Sequence, residues 1–469
     1  MNYRLKHWPI VLLALPSLSL GQAIADLPST AQVEDGTYIT WREHIIDDPT
    51  RGVADLSGSD GLAMADLDLD GHLDIVSVHE SDTIYDGKPI GHVRIAWGTS
   101  DANTWHLTTL ASGPEAAAAE DVSIADANGD GYPDVIVAAE LAHLIYFQNP
   151  GAEAREKVWP RVIPRITQER GSYIRVFFAD FNNDGKPEVV APNKGAQNPD
   201  LEQQAKLNIS IYHLPADPLK GDLWTEQLLT KVRIPINAEP VDLDDDGDLD
   251  LVAGSRGEAR ILWLENQGQF VFKEHEIKTL GQPPNTALTG FNMDYADLNG
   301  DGKKDIVSTA WPGYLLLLTA PATPNLPWQV TEIGRLLPDQ LVSVRLADVD
   351  GDTDLDAFVG AYSRGARDQD TNKVGDSTGR ISWMQNPGSD NAASGPWTRH
   401  DISRRNRGMY DKWLARDMDQ DGDLDFVGTR GNSEPYDGVI WLEQDRTVTP
   451  EPRFRGARSI DSTQMGLPP

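Results

Sequence analysis

Val241–Gly254 reads VDLDDDGDLDLVAG. Asp242, Asp244, Asp246 and Asp250 take positions 1, 3, 5 and 9 of a loop, with Gly247 at position 6. Alternate carboxylates ahead of a tight turn can converge on one point, and Ca²⁺ asks for six to eight oxygens at roughly 2.3–2.6 Å. Gly247 lets the chain bend sharply without a Cβ penalty. Leu251, Val252 and Ala253 follow at once and read as a short buried strand.

The pattern recurs six more times. The first copy has Asp66, Asp68, Asp70, Gly71 and Asp74. The second has Asp126, Asn128, Asp130, Gly131 and Asp134. The third has Asp180, Asn182, Asp184, Gly185 and Glu188. The fifth has Asp297, Asn299, Asp301, Gly302 and Asp305. The sixth has Asp348, Asp350, Asp352 and Asp356, with Thr353 in place of the glycine. The seventh has Asp417, Asp419, Asp421, Gly422 and Asp425. Successive copies start 60, 54, 62, 55, 51 and 69 residues apart. A period of this size signals a repeat architecture.

An EF-hand would want Glu at position 12 and two flanking helices. Position 12 is instead Ser77, Val137 and Ala253 in three copies, and the flanks look like strands. An acidic hairpin turn without metal is the other rival. One copy would leave that open; seven copies with the ligand types kept favour Ca²⁺, up to seven ions.

The chain has 469 residues and a net charge of −32, from 41 basic and 73 acidic side chains. Loop positions 1, 3, 5 and 9 hold twenty-five of the carboxylates. Seven Ca²⁺ would bring the charge to −18, so much of the acidity is explained as metal-ligand charge. A nucleic-acid binder would carry a basic footprint, so that class is disfavoured. There is no cysteine, which excludes disulfides and a lipid-modified N-terminal Cys.

Residues 1–25 read as a bacterial-type secretory signal. Arg4, Lys6 and His7 form a basic start, Trp8 to Leu20 a short apolar run, and Ala23-Ile24-Ala25 a cleavage site. The apolar run is short for a membrane span, and no later segment reads as one. The expectation is a secreted or periplasmic protein whose mature chain starts near Asp26.

Each unit then repeats one series. A first strand ends in Ala-Asp or a variant, as in Val344-Arg345-Leu346-Ala347-Asp348. The acidic loop follows, then a second strand such as Asp305-Ile306-Val307-Ser308. A third, more aromatic strand comes next, as in Ile261-Leu262-Trp263-Leu264. A fourth opens on Trp105, Trp159, Trp224, Phe272, Trp328 or Trp397. Four short strands, seven times, predict an all-β seven-bladed β-propeller with four-stranded blades. Trp41-Arg42-Glu43-His44-Ile45-Ile46 matches Trp397-Thr398-Arg399-His400-Asp401-Ile402, while no such strand follows Trp441 and Leu442. The N-terminal strand is therefore expected to complete the last blade and close the ring, hiding edges that an open sheet would expose. The propeller is expected over 26–445, with a loosely ordered tail at 446–469. Trp41, Trp97, Trp263, Trp383 and Trp441 are expected to pack between blades.

The repeated Asp-x-Asp/Asn-x-Asp/Asn-Gly-x-x-Asp/Glu followed by a short strand resembles the FG-GAP/VCBS repeat family, the Ca²⁺-binding blades of integrin-like propellers. The resemblance covers about 37–445. The Phe-Gly-x-Gly-Ala-Pro signature is absent, which points to the VCBS-like branch. The family includes adhesion modules, fungal-type lectins and some carbohydrate lyases and dehydratases. The resemblance thus implies an extracellular glycan or a matrix or cell-surface protein as partner, and no particular reaction.

Because the acidic loops join strands one and two, the remaining inner loops lie on the opposite face. There the sequence gathers Arg256, Trp311, Tyr362, Arg364, Arg407, Tyr410 and Arg430. Arg presents a planar fork to carboxylate or sulfate, and aromatic rings can stack on sugars while hydrogen-bonding. This face is the expected ligand site, with ordinary solvated loops as the plain alternative. For lyase chemistry on a uronate polysaccharide, His79, His143, Tyr362 and Arg364 have the required types. No linear motif ties them together, so enzyme and binding module both stay open.

Overall fold

The computed structural model describes residues 22–53, 56–81, 87–141, 143–363, 378–406, 408–431, 437–458 and 463–467. Every acidic loop is the elbow between the first two strands of an antiparallel sheet, and seven such sheets form the blades. Blade 4 shows the plan: Pro235–Val241, Asp250–Ser255, Arg260–Asn266 and Phe272–Glu276 pair in sequence order. The other six repeat it, starting at Ser59, Ala119, Phe177, Met293, Gln340 and Trp413. Among the described residues there is no α-helix, and no helix is long and apolar enough to cross a membrane.

The second strands are buried along their whole length because both their faces are covered. In Asp74–His79, Ile75 packs into the joint with blade 7, while Val76 and Val78 pack into the joint with blade 2. Each joint between neighbouring blades has its own apolar cluster, seven in all. Apolar burial at about 25 cal/mol per Å² therefore holds the ring together joint by joint. Trp41, Trp97, Trp263, Trp383 and Trp441 are buried there, as expected from their strand positions.

Along the inner rim, side chains of one first strand bond the backbone of the next blade. Asp121 Oδ2 accepts from Val176 N at 3.2 Å, and Ser123 Oγ from Phe178 N at 3.0 Å. Asn237 donates to Phe291 O at 3.1 Å, and Asp294 accepts from Leu346 N at 2.8 Å. The aromatics opening the outer strands have a shared role too. The indole N–H of Trp105, Trp159, Trp224, Trp328 and Trp397 each donates to a carbonyl of the preceding loop, at 2.8–3.0 Å.

Closure occurs as the sequence predicts. Tyr38–Asp47 pairs antiparallel with Gly438–Thr447, placing His44 opposite Trp441. The chain past 446, expected to be loosely ordered, is paired where it is described. Phe454–Arg455 adds in parallel to Trp41 and Arg42, Pro28 bridges Pro452, and Met465 N bonds Arg404 O at 2.7 Å. Backbone groups there find partners in the outer edge of blade 7 and in 22–33, pairings that local composition does not signal. Residues 1–21, with the basic start and apolar run of the expected signal, lie outside the described residues. Ile24 and Ala25 of the expected cleavage site are buried.

Candidate metal loops and the opposite face

Each loop is built from its first and ninth positions. In loop 1, Asp66 accepts from Asp70 N at 3.0 Å and Gly71 N at 2.9 Å, which folds the elbow. Asp242 does the same for Asp246 N and Gly247 N, both at 3.2 Å. Gly247 has φ +95°, a region that L side chains avoid. Thr353 of loop 6 has the same turn with φ +77°.

Position 9 is a buried staple. Asp250 accepts from Leu243 N at 3.1 Å and from Asn266 N at 2.7 Å, tying the elbow to the end of the third strand. Asp74, Asp134, Asp305, Asp356 and Asp425 make the same two bonds. Glu188 keeps the bond to Phe181 N at 3.3 Å. Burial pushes these aspartates up: Asp134, Asp250 and Asp305 to about 6, Asp74 to about 7, and Asp356 and Asp425 to about 8. Proton-free carboxylates this enclosed cost energy unless a positive charge meets them.

Carboxylate oxygens do converge. Those of Asp66, Asp68 and Asp70, and those of Asp242, Asp244 and Asp246, lie within 4.8 Å of one another. In loops 6 and 7 the converging sets are Asp348, Asp350 and Asp356, and Asp417, Asp419 and Asp425. Oδ1 of Asp68 and of Asp244 is buried with no hydrogen-bond partner among the described residues. An all-oxygen, anionic donor set with unsatisfied oxygens fits a hard divalent cation such as Ca²⁺. Loops 2, 3 and 5 offer an amide at position 3: Asn128 and Asn182 donate to Asp130 and Asp184 at 3.0 and 3.1 Å, and Asn299 accepts from Asp301 N at 2.9 Å.

The opposite face differs from its sequence reading. Tyr362, Tyr410 and Arg430 are buried rather than presented to a ligand. Tyr410 takes a 2.6 Å bond from Arg405 Nε and stacks on Trp413, and Tyr362 packs with Val342 and Met409. The joint of blades 6 and 7 takes up both rings, and Arg430 is buried on the second strand of blade 7. Arg364 and Arg407 lie outside the described residues. Trp311 is 47 % exposed, and Arg256 is half-buried.

The expected bases do not assemble either. His79 is enclosed between Ser59 Oγ at 2.6 Å and Ser77 Oγ at 2.9 Å. Burial, then the Arg94 and His92 charges, push its pKa well down. His143 on blade 2 bonds Glu115 O at 2.7 Å. Tyr362 belongs to blade 6. Each stands on a different blade.

Sequence reading missed three features. Asp60, Glu80 and Glu120, all buried, bring carboxylate oxygens within 4.8 Å at the joint of blades 1 and 2. A cavity of about 410 Å³ lies between blades 4 and 5 beside Asp244, Trp263, Glu265, Lys273 and His275. Arg175 and Arg256 both pack against the Phe291 ring, 4.6 and 5.7 Å from its centre. All three join residues from distant repeats or from separate strands, so no local motif could reveal them.

A sequence model of the FG-GAP-like repeat family matches residues 66–137, 128–191, 242–308 and 297–359. No curated protein matches the chain. Among solved structures, YCF48 from Cyanidioschyzon merolae is similar at 11 % identity and TM-score 0.48, over 86 % of this chain and 98 % of that one. BBS1N, crystallised with ARL6DN, gives 10 % identity and TM-score 0.46, over 90 % and 98 %. An Agrocybe aegerita lectin described as recognising non-reducing terminal N-acetylglucosamine gives 13 % and 0.45, over 83 % and 86 %. These likenesses are of fold alone.

Proposed function

This chain belongs to the FG-GAP-like repeat family, and we propose that it is an exported, calcium-loaded propeller that binds an anionic extracellular carbohydrate through the face opposite its acidic loops. The observation that carries the metal reading is the convergence of loop carboxylates, with Asp68 and Asp244 each keeping an unsatisfied buried oxygen. Bound Ca²⁺ would supply the positive charge that offsets repulsion within each loop. The residues at positions 1, 3 and 5 would hold it, with the position 9 carboxylate as staple and added ligand. Placing the partner on the other face follows from this division of labour, since the loops are committed to metal while Trp311 and Arg256 remain accessible. The basic start and apolar run before Asp26 support export. The lyase alternative is less well supported, because His79 is enclosed and His143 and Tyr362 stand on other blades.

The test is to strip the full mature chain with a chelator, count bound metal, and compare melting with and without Ca²⁺. A native-state ligand stabilises by mass action, so melting should rise with Ca²⁺. A metal count near zero together with unchanged melting overturns the metal reading. A glycan array probed with the Ca²⁺-loaded protein tests the partner, and an array with no acidic glycan bound overturns that part.

A further inference from the structure

Four buried arginines in this protein are paired with acids. Arg94 holds Asp47, Arg380 and Arg404 hold Asp339, and Arg405 holds Glu43. Arg175 is 3 % exposed, yet no carboxylate among the described residues lies within the 4.0 Å of an ion pair. Among the described residues its guanidinium bonds only neutral oxygens, Asn292 Oδ1 at 3.1 Å and Ile174 O at 3.3 Å. Arg256 also has no ion-pair partner among the described residues, and its guanidinium, like that of Arg175, lies against the Phe291 ring.

Three blades build this arrangement. Arg175 stands just ahead of the first strand of blade 3, Phe177–Ala179. Arg256 directly follows the second strand of blade 4, Asp250–Ser255. Phe291 and Asn292 precede the first strand of blade 5, Met293–Ala296. All four thus stand at the end of the axis away from the acidic loops. Glu239, on the first strand of blade 4, is near enough for the Arg175 charge to act on its carboxyl. Burial pushes its carboxyl up to about 7 against the pull of Lys412 and Arg175, so near neutral pH it gives only part of a counter-charge.

Two like charges over one ring repel each other, and a buried guanidinium without an anion is costly. The ring quadrupole offsets some of this, and the N–H groups that Ile174 and Asn292 do not take can serve an oxyanion, for which the guanidinium fork is shaped. We propose that Arg175 and Arg256, held over Phe291 at the axial mouth of blades 3 to 5, bind a carboxylate or sulfate group of an acidic glycan. The proposal rests on the glycan-binding reading above and names the group recognised and its two ligating side chains.

Calorimetric titration of the full Ca²⁺-loaded chain tests it. The polymer probes are polygalacturonate and chondroitin sulfate, and the free-ion probes are galacturonate and sulfate. Arg256→Ala should weaken polymer binding by roughly tenfold or more, and Arg256→Lys should keep charge but recover only part of the loss. Arg175→Lys should act likewise, with melting curves confirming that each variant folds. Half-buried Arg256 keeps the test valid if Arg175 variants do not fold. Polymer binding unchanged in every folded variant overturns the site while leaving the glycan reading standing. Loss of sulfate binding in Arg256→Ala, with no polymer bound by the wild type, supports the oxyanion site and overturns the glycan reading. Binding of no probe by the wild type overturns both.

Discussion

Arg155 of blade 2 reaches back across the joint to Asp70 of the first acidic loop, Nη2 to Oδ2 at 2.6 Å. The same guanidinium bonds Asp68 and lies 5.2 Å from the centre of the Trp97 ring. The first loop therefore carries a cation supplied by the protein itself, on two of the carboxylates that a metal would use. The pair is about one-third exposed, so it adds at most roughly 0–1 kcal/mol to stability. Arg155→Ala should leave melting in chelator nearly unchanged and raise the Ca²⁺ affinity of one site several-fold. Calorimetric Ca²⁺ titration of stripped wild type and variant would show it; superimposable isotherms would mean Arg155 does not compete for the loop.

Glu43 and Arg405 lock the N-terminal strand to blade 6, with Nη1 to Oε2 at 3.0 Å and both side chains buried. Burial alone would raise the Glu43 carboxyl, but the Arg405 charge and hydrogen bonds, with Arg430 behind, outweigh it and hold the pKa at about 2. A carboxyl lowered from its ordinary 4.5 gives its full stabilisation above about pH 4.5 and loses it as pH falls through about 2. Glu43→Gln should cost about 3–5 kcal/mol at pH 7, because Arg405 is left buried and uncompensated. Urea denaturation should show the gap between wild type and variant shrinking from pH 5 to pH 3. A gap that is constant across that range would show that charge is not what Glu43 contributes.

Thr353 sits at φ +77° where the six other loops, at Gly71, Gly131, Gly185, Gly247, Gly302 and Gly422, turn on glycine at φ +82 to +101°. A β-branched residue there is strained by roughly 1–3 kcal/mol, while glycine loses about 0.5–1 kcal/mol in entropy. Thr353→Gly should therefore stabilise by about 1 kcal/mol and tighten metal binding at loop 6. Lower melting of the variant in both chelator and Ca²⁺ would refute this.

Removing residues 26–47 should leave Gly438–Thr447 as an open edge along the length now paired by the N-terminal strand. Unpaired edges template aggregation. Light scattering should report association of the truncated chain, together with a lower melting point. A monomer with unchanged melting would mean that closure does not depend on this strand.

Much of the architecture was legible because repeats carry it. Loop residues within nine positions of one another fix each elbow, and Ile75, Val76 and Val78 announce a strand covered on both faces. The match of Trp41–Ile46 to Trp397–Ile402 located the closing strand. The ligand face was only half legible. Arg256 and Tyr410 look equally available in the sequence, yet Tyr410 is enclosed against Trp413 while Arg256 reaches Phe291.

The sequence by itself determined the seven elbows, the strands around them and the way the ring closes, because each depends on residues close together in the chain or repeated at a steady period. Only the tertiary structure decided which charges are neutralised within the protein. Arg405 finds Glu43 from 362 positions away, and Arg155 finds Asp68 from 87. Arg175 meets Asn292 from 117 positions away and has no carboxylate within the 4.0 Å of an ion pair among the described residues. Coulomb energy depends on distance in space and on how much water lies between the charges, and the chain meets those conditions only after the blades have packed.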